Sequence, residues 1–211
     1  MHLDEMIGRY PAIAGCRQAI ENAYLVLKDA YENGHKLLVA GNGGSAADSE
    51  HIAGEMMKRF RLARPVPEEF AKRLVKADPK RGAKLAENLE QGLLAIPLVT
   101  HEALTTAYIN DVDGVGVFAQ QLYGYGETGD VFLGISTSGN SENVIHAAVC
   151  ARALDMKVIA LTGEGGGKLA SYADVTIAVP EKETYLIQER HLPIYHCLCL
   201  MLEEHFFGSE I

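Results

Sequence analysis

Short apolar runs, each followed by a glycine-containing loop and a helical pattern, constrain the fold of this chain more than any other feature. Three such runs lie at residues 36–41, 130–135 and 157–162, and a fourth apolar run at 174–179 closes the series. Runs of this kind are typical of parallel strands that are covered on both faces. Strand, loop and helix in repetition predict a doubly wound α/β fold, in which helices sandwich a parallel sheet with right-handed crossovers.

The other periodic segments are predicted to be the helices of this sandwich. Apolar side chains recur at helical spacing before Asn33-Gly34, which supplies a C-terminal stop. A further short apolar run at 94–99 is predicted to be a strand. The predicted helices cover residues 12–33, 45–60, 142–154 and 184–207.

Residues 65–92 interrupt this order with a segment rich in Lys, Glu, Arg and Ala that has Pro79 in its middle. Its composition favours one or two solvated surface helices inserted into the domain. The functional alternative is a lid or a partner surface. With 211 residues, 48% of them apolar, the chain 1–211 is predicted to form one globular domain around this insertion.

The charge and cysteine content exclude several classes of protein. A net charge of −9 argues against a nucleic-acid surface, which needs clustered Lys and Arg. No apolar stretch approaches the roughly 18 residues of a membrane span, and the first residues do not resemble a secretory signal. We therefore expect a cytoplasmic protein without nucleic-acid or membrane partners. Its four cysteines are interpreted as small buried apolar residues: Cys16, Cys150, Cys197 and Cys199.

The loop after the second run is the best candidate for binding phosphate. Its sequence, Ser136-Thr137-Ser138-Gly139-Asn140-Ser141, offers several hydroxyl groups at the start of a helix. Neutral donors and the helix dipole can hold a phosphate there without a lysine. The alternative is an ordinary helix cap, which would use a single hydroxyl. The glycine loop 41–45 is a second candidate, whereas the loop 163–167 is expected only to turn the chain.

His51 and Glu55 are candidates for half of a metal site. They lie four residues apart, so a helix places both side chains on one face about 6 Å apart along its axis. Taken alone, such a pair is more often a polar pair on a helix surface than a metal site, but its place on the helix that follows a ligand loop favours the metal site. His196, in the apolar final helix, is equally ambiguous from its spacing alone, because a histidine there can be a satisfied core residue.

Taken together, several motifs resemble the phosphoheptose isomerase branch of the sugar isomerase (SIS) domain family. The resemblance covers nearly the whole chain apart from the insertion 65–92. In chain order, the matching segments are 38–48, His51-Ile-Ala-Gly-Glu55, Asn110-Asp111, 134–141, Ile187-Gln-Glu-Arg-His191 and His196.

This resemblance implies an activity and a set of site residues. The activity is the isomerisation of sedoheptulose 7-phosphate to D-glycero-D-manno-heptose 7-phosphate, a step toward lipopolysaccharide core, by a homotetramer. Glu55 and His196 would be the acid–base pair. The implied zinc ligands are His51, Glu55, Gln188 and His196. The implied substrate-binding residues are Asn42, Gly43, Gly44, Ser45, Asn110, Asp111, Ser136, Thr137, Ser138, Ser141 and Gln188.

Two other functions stay open at this point. The first is a different enzyme of the same family, such as an arabinose 5-phosphate isomerase or a sugar-phosphate lyase. The second is a phosphosugar-binding or protein-interaction module without catalytic activity. Retention of zinc and formation of product distinguish an isomerase from the second alternative.

The implied ligand set raises a geometric difficulty. In a straight helix, Gln188 and His196 are about 12 Å apart along the axis and roughly 80° apart around it. Zinc ligand bonds are only about 2 Å long, so the two side chains cannot easily reach one ion. Either the helix begins after Gln188 or the ligands converge from different chains. We therefore hypothesise that the active sites are completed at subunit interfaces.

Overall fold

In the computed structural model, which describes residues 2–208, five strands form one parallel sheet in the order β2-β1-β3-β4-β5. All four neighbouring pairs are parallel, which confirms the doubly wound fold. The apolar runs form the strands as predicted. Strands β1, β3 and β4 are buried over nearly their whole length, as expected for parallel strands that are covered on both faces. The strands are β1 (Leu37–Gly41), β2 (Ala95–Pro97), β3 (Val131–Ser136), β4 (Lys157–Thr162) and β5 (Val175–Ala178).

The helices cover both faces of this sheet. They are α1 (His2–Arg9), α2 (Arg17–Glu32), α3 (Gly44–Met57), α4 (Glu68–Ala77), α5 (Pro79–Asn88), α6 (Glu102–Asp111), α7 (Val117–Tyr125), α8 (Glu142–Ala153) and α9 (Thr184–Phe207). Short 3₁₀ helices occupy Pro11–Cys16 and Lys168–Tyr172. Among residues 2–208, no helix has both the length and the apolar character needed to cross a bilayer.

Two predicted helices have different bounds in the structure. The helix predicted at 12–33 begins as a 3₁₀ turn with Pro11 at its first position and becomes α-helical only at Arg17. Gly15 lies within this turn, and glycine disfavours the α-helix. The helix predicted at 45–60 ends at Met57, because Lys58 adopts an extended conformation. Helices α1, α6 and α7 were not predicted.

The segment 65–92 forms the helical hairpin α4–α5, as its composition predicted, whereas its being an insertion stays a prediction. Asp78 caps α5 by accepting hydrogen bonds from the backbone N–H groups of Lys80 and Arg81, and Pro79 occupies the first helical position. A side chain at Gly82 would collide with the backbone of α4, so glycine allows the two helices to pack closely. No residue of α4 is buried, and its role as a lid or partner surface stays a prediction.

Successive side chains of each strand point to opposite faces of the sheet, so the apolar core consists of two clusters, one on each face. Val39 and Leu133 face the side that is covered by α2, α3 and α9, whereas Leu38 and Phe132 face the side that is covered by α7 and α8. The side chains of α3 and α9 therefore pack on the same face of the sheet. This shared face brings residues from the first and last quarters of the chain together.

The carboxyl ends of β1 and β3 mark the point where the sheet order reverses. The chain passes from β1 to β2 on one side and then returns to β3 on the other. In open parallel sheets, ligands bind in the crevice beyond the strands at such a point. The loop after β1 is the glycine loop 41–45, and the loop after β3 is the segment 136–141, called the serine loop below; the sequence singled out both.

His191 is a buried histidine on α9 whose Nε2 lies 3.2 Å from the carbonyl oxygen of Thr162 at the end of β4. Its side chain is fully buried. Burial lowers the pKa of His191 to about 4, although the hydrogen bond to Thr162 opposes this shift. The imidazole is therefore neutral at pH 7.

We expect acidification to destabilise the protein partly through His191. In the unfolded chain the pKa of this histidine is about 6.5, so between pH 6.5 and 4 the unfolded state binds a proton that the folded state does not bind. The contribution of neutral His191 to the free energy of unfolding is fully present above the unfolded-state pKa and is lost as the pH falls toward 4. Between pH 7.5 and 5, the free energy of unfolding should fall by about 2 kcal/mol more in the wild type than in His191→Gln. Denaturant titrations measure both losses, and equal losses would contradict this assignment.

Candidate active site

The crevice between β1 and β3 is bridged by two asparagines. Asn42, in the loop after β1, donates a hydrogen bond of 2.9 Å to Oδ1 of Asn143, at the start of α8. Asn143 returns a second bond of 2.9 Å to Oδ1 of Asn42. A cavity of about 250 Å³ lies beside this pair and is also lined by Ile109 of α6 and Phe118 of α7. Asn143 was not among the predicted site residues.

The serine loop presents its hydroxyl groups at the start of α8. Ser136 Oγ lies 3.0 Å from Ser141 Oγ, and Ser141 precedes the helix without capping it through its side chain. Ser138 Oγ accepts a bond of 3.1 Å from the backbone N–H of Asn140, which stabilises the turn. Thr137 is half-buried. The structure therefore leaves the hydroxyls of Ser136 and Ser141 paired with each other and not used as a helix cap.

The glycine loop brings the first turn of α3 against α9. Gly43 precedes α3 with a φ of 57°, a left-handed conformation that favours glycine. A side chain at Gly44 would collide with the amide group of Gln188. Gln188 therefore lies beside the start of α3, close to the crevice. Ser45 is only 3% exposed, so its side chain is turned into the protein.

Asn110 and Asp111 lie at the end of α6, where both are exposed. Asn110 donates a hydrogen bond of 2.8 Å to Asp111 Oδ1. Among residues 2–208, the lining of the crevice cavity includes Thr105 and Ile109 of α6 but neither of these two. Their contact with a substrate stays a prediction.

His51, Glu55 and His196 form one cluster between α3 and α9. His51 Nε2 lies 3.3 Å from Glu55 Oε1 and 3.4 Å from His196 Nε2. The i, i+4 spacing places the first two on one face of α3, and the packing of α9 on the same side of the sheet supplies the third. Within the described residues, no group of three or more His, Cys, Asp or Glu side chains is arranged, as placed, to hold a metal ion.

The cluster is half-buried and in contact with solvent on one side. The side chain of Glu55 is 15% exposed and that of His51 is 43% exposed. Burial, followed by the charge of His51, lowers the pKa of His196, and the carboxylate of Glu55 partly opposes the shift. A cavity of about 270 Å³ opens beside His196 and is also lined by Phe60 and Arg61. A neutral His196 is thus able to accept a proton from a molecule that enters this cavity.

Tyr195 and Asp48 support the other ring nitrogen of His51. Tyr195 Oη lies 3.1 Å from His51 Nδ1, and the same hydroxyl donates a bond of 3.2 Å to Asp48 Oδ1. Burial raises the pKa of Asp48, although the bond from Tyr195 opposes this effect. Neither residue was predicted to belong to the site.

The C-terminal end of α3 is held by a buried ion pair. Arg64 donates hydrogen bonds of 2.8 Å to the carbonyl oxygen of Met56 and 3.3 Å to that of Glu55. It also pairs with Glu203 of α9 at 2.9 Å, and both side chains are almost completely buried. Burial opposes ionisation of Glu203, but hydrogen bonds from the backbone N–H groups of Phe60 and Arg61, together with that from the Arg64 side chain, lower its pKa.

The structure answers part of the geometric question about subunits. Helix α9 begins at Thr184, so the idea that the helix starts only after Gln188 is wrong. His51, Glu55 and His196 meet within one chain, so these three side chains need no second subunit to come together. Their convergence results from the packing of α9 against α3. Completion of the site by other residues of a second subunit stays a prediction.

Comparison with known proteins places this arrangement in a family. Residues 11–92 and 80–163 match the SIS domain family. A phosphoheptose isomerase from Aneurinibacillus thermoaerophilus is 41% identical over 182 residues, which cover 86% of this chain and 79% of that protein. A solved phosphoheptose isomerase from Francisella tularensis superimposes with a TM-score of 0.73 at 30% identity, covering 97% of this chain and 99% of that chain. One from Neisseria gonorrhoeae gives a TM-score of 0.69 at 33% identity, covering 95% and 98%. The chain therefore belongs to the SIS domain family and, within it, to the phosphoheptose isomerases.

Proposed function

We propose that this protein is an aldose–ketose isomerase that converts sedoheptulose 7-phosphate to D-glycero-D-manno-heptose 7-phosphate. The observation that carries the proposal is the meeting of Glu55 and His196 with His51 on one face of the sheet. A carboxylate and a neutral imidazole are suited to exchange protons with a substrate. The similar proteins are named phosphoheptose isomerases, which supports a heptose phosphate as the substrate.

The reaction moves a proton between C1 and C2 of the sugar through an enediol. One group must take the proton from carbon, and a second must exchange the proton of the neighbouring hydroxyl. We assign these two roles to Glu55 and His196. The side chain of Glu55 is mostly removed from water, which favours proton transfer to a bound substrate over exchange with solvent.

The phosphate group of the substrate is attached to C7, at the opposite end of the sugar from the reacting carbons C1 and C2. We assign this end to the serine loop, where neutral hydroxyl donors and the start of α8 suit a phosphate in an acidic protein. His51 lies seven residues after Gly44 on α3, so about 10 Å of helix separates the glycine loop from the cluster. The glycine loop adjoins the start of α8 through the pair Asn42–Asn143, so an extended substrate would have its phosphate and its reacting carbons at opposite ends of this path.

We also propose that the cluster holds one zinc ion. Two ligands of a tetrahedral zinc are about 3.3 Å apart, because each bond to nitrogen or oxygen is about 2.0–2.1 Å long. The distances of 3.3 Å and 3.4 Å from His51 Nε2 to its neighbours fit this spacing, and the donor types are those that zinc prefers. His51, Glu55 and His196 would hold the ion. The amide of Gln188, the fourth ligand that the resemblance implies, lies beside Gly44, about two turns of α3 before His51, so its binding to the same ion stays a prediction. When bound, zinc supplies Lewis-acid polarisation of the substrate carbonyl.

We further propose that the enzyme is a cytoplasmic homotetramer. Tyr185 and Leu192 are large apolar residues of α9 that are 62% and 41% exposed. Exposed apolar side chains on a helix that carries site residues are suited to a subunit contact. Light scattering of the purified protein measures the number of subunits.

Incubation with sedoheptulose 7-phosphate tests the proposed activity. The purified protein should form an aldose 7-phosphate, which NMR spectroscopy identifies, and metal analysis should find one zinc per active site. Arabinose 5-phosphate, in a parallel incubation, tests the alternative isomerase. A protein that retains phosphosugar but forms no product from either substrate would instead be a binding module, and the proposed function would be wrong.

We expect the serine loop to act mainly on substrate affinity. Ser136→Ala, Ser138→Ala and Ser141→Ala each remove a neutral donor from the proposed phosphate site, so each should raise KM and leave kcat nearly unchanged. Ser171→Ala, an exposed serine of a neighbouring 3₁₀ helix, is the matched control. Steady-state kinetics measure both constants. If the whole loss fell on kcat at saturating substrate, these serines would not be the phosphate anchors.

A further inference from the structure

Tyr195 connects two residues of α3 through a single hydroxyl group. Its side chain is almost completely buried, at 2% exposure. The hydroxyl lies 3.2 Å from Asp48 Oδ1 and 3.1 Å from His51 Nδ1. Asp48 and His51 are three residues apart, so they occupy the same face of the helix one turn apart. The hydroxyl of Tyr195 therefore meets both side chains at once.

The hydrogen bond from Tyr195 to Asp48 determines which atom donates in the contact between Tyr195 and His51. A phenol has one proton to donate, and a carboxylate can only accept. If Tyr195 donates to Asp48, its oxygen is left to accept a bond from Nδ1–H of His51. The other nitrogen of a neutral His51, Nε2, then carries a lone pair. That nitrogen is the atom that faces Glu55 Oε1 and His196 Nε2.

We propose that Tyr195, oriented by Asp48, is a positioning residue that fixes His51 as its Nδ1–H tautomer and keeps the Nε2 lone pair directed at Glu55 and His196. Its consequence for zinc binding rests on the proposed function. In the opposite tautomer, Nε2–H donates to the Glu55 carboxylate, and His51 has no lone pair to offer a cation at that position. Asp48 decides between the two arrangements because it takes the only proton of the phenol.

The tautomer of His51 can be measured without substrate or metal. In metal-free protein with ¹⁵N-labelled histidine at pH 8, NMR spectroscopy should show His51 protonated at Nδ1. The His51→Gln variant assigns the signal. Tyr195→Phe removes the hydroxyl and retains the ring, so the Glu55 carboxylate should then draw the proton to Nε2. Asp48→Ala should give the same result, because Tyr195 is then free to donate to Nδ1.

Zinc affinity provides the second readout. Loss of a group that orients a histidine ligand lowers metal affinity by roughly 10- to 100-fold, and chelator competition should find this loss in Tyr195→Phe. Tyr31→Phe is the matched control, because the hydroxyl of Tyr31 donates to the carbonyl oxygen of Leu94, away from the cluster. Tyr31→Phe should retain both the wild-type tautomer and the wild-type zinc affinity. Thermal unfolding identifies a variant that has lost its fold.

Two results would overturn the inference. The first is a wild-type His51 that carries its proton on Nε2. The second is a pair of folded variants, Tyr195→Phe and Asp48→Ala, that both keep the wild-type tautomer. Because the NMR measurement needs neither zinc nor turnover, a protein without isomerase activity can still confirm the positioning role. Conversely, an active isomerase with the other tautomer would refute this role alone.

Discussion

Glu55→Gln is expected to lower kcat by at least about 10²-fold, the scale of loss for a general acid or base. Glutamine keeps the shape of the side chain but neither accepts nor releases a proton at neutral pH. Because Glu55 packs against the polar side chains of His51 and Lys58 and not in the apolar core, the variant should unfold at nearly the wild-type temperature. Turnover of sedoheptulose 7-phosphate and thermal unfolding measure the two effects.

A neighbouring glutamate supplies the control for this variant. Glu50 is an exposed residue of the same helix, five positions before Glu55, so Glu50→Gln removes an equal charge outside the cluster. Its turnover should stay near the wild-type value. A well-folded Glu55→Gln protein with near-normal kcat would show that the assigned acid–base chemistry is wrong.

His196→Ala should lower turnover by a similar factor, because it removes the proposed partner of Glu55. Groups that act in one step are not additive, so the double variant Glu55→Gln/His196→Ala should lose little more than either single variant. His146→Ala, an exposed histidine of α8, is the control. A double variant whose loss equals the product of the two single losses would indicate that the residues act in separate steps.

The sequence was sufficient to predict the sheet and its binding edge. The runs that became β1, β3 and β4 are mostly apolar and lead into loops that contain glycine, so their positions follow from local patterns. Helix α6, by contrast, has no buried residue, so it lacks the apolar periodicity that reveals a helix. Local spacing also identified His51 and Glu55 as a pair that shares one face.

The residues that support the site could not be predicted, because their partners are distant in the chain. Asn42 and Asn143 are separated by 101 positions, and Tyr195 and Asp48 by 147. A single asparagine, tyrosine or aspartate has no local signature of such a contact. The meeting of His51 with His196 depends likewise on the packing of α9 against α3, which a pattern within either helix does not show.

The residue at which α3 ends likewise could not be predicted from local sequence, because it depends on distant residues. The sequence after the glycine loop predicted a helix through residue 60. Glu203 of α9 instead accepts bonds from the backbone N–H groups of Phe60 and Arg61, and Arg64 binds the last carbonyl oxygens of α3. These groups are then unavailable to continue the helix. A contact across 139 residues thus sets where α3 ends, only two residues after Glu55.

Arg64→Met is expected to lower the free energy of unfolding by about 3–5 kcal/mol, the cost of leaving one charge of a buried pair without its partner. Arg64 and Glu203 are each about 1% exposed, so water cannot replace the lost bonds. Lys72→Met, which breaks an exposed pair with Glu68 on α4, should have little effect. Denaturant titrations at neutral pH measure these changes.

The double variant Arg64→Met/Glu203→Met distinguishes the cost of an unpaired charge from the contribution of the pair itself. With both charges gone, the site is apolar, and replacement of a buried pair by apolar residues is often neutral or stabilising. The backbone N–H groups of Phe60 and Arg61 lose their acceptor, however, so we expect only part of the stability to return. A double variant no more stable than Arg64→Met would show that the hydrogen bonds to the backbone, and not the buried charge, hold α3 against α9.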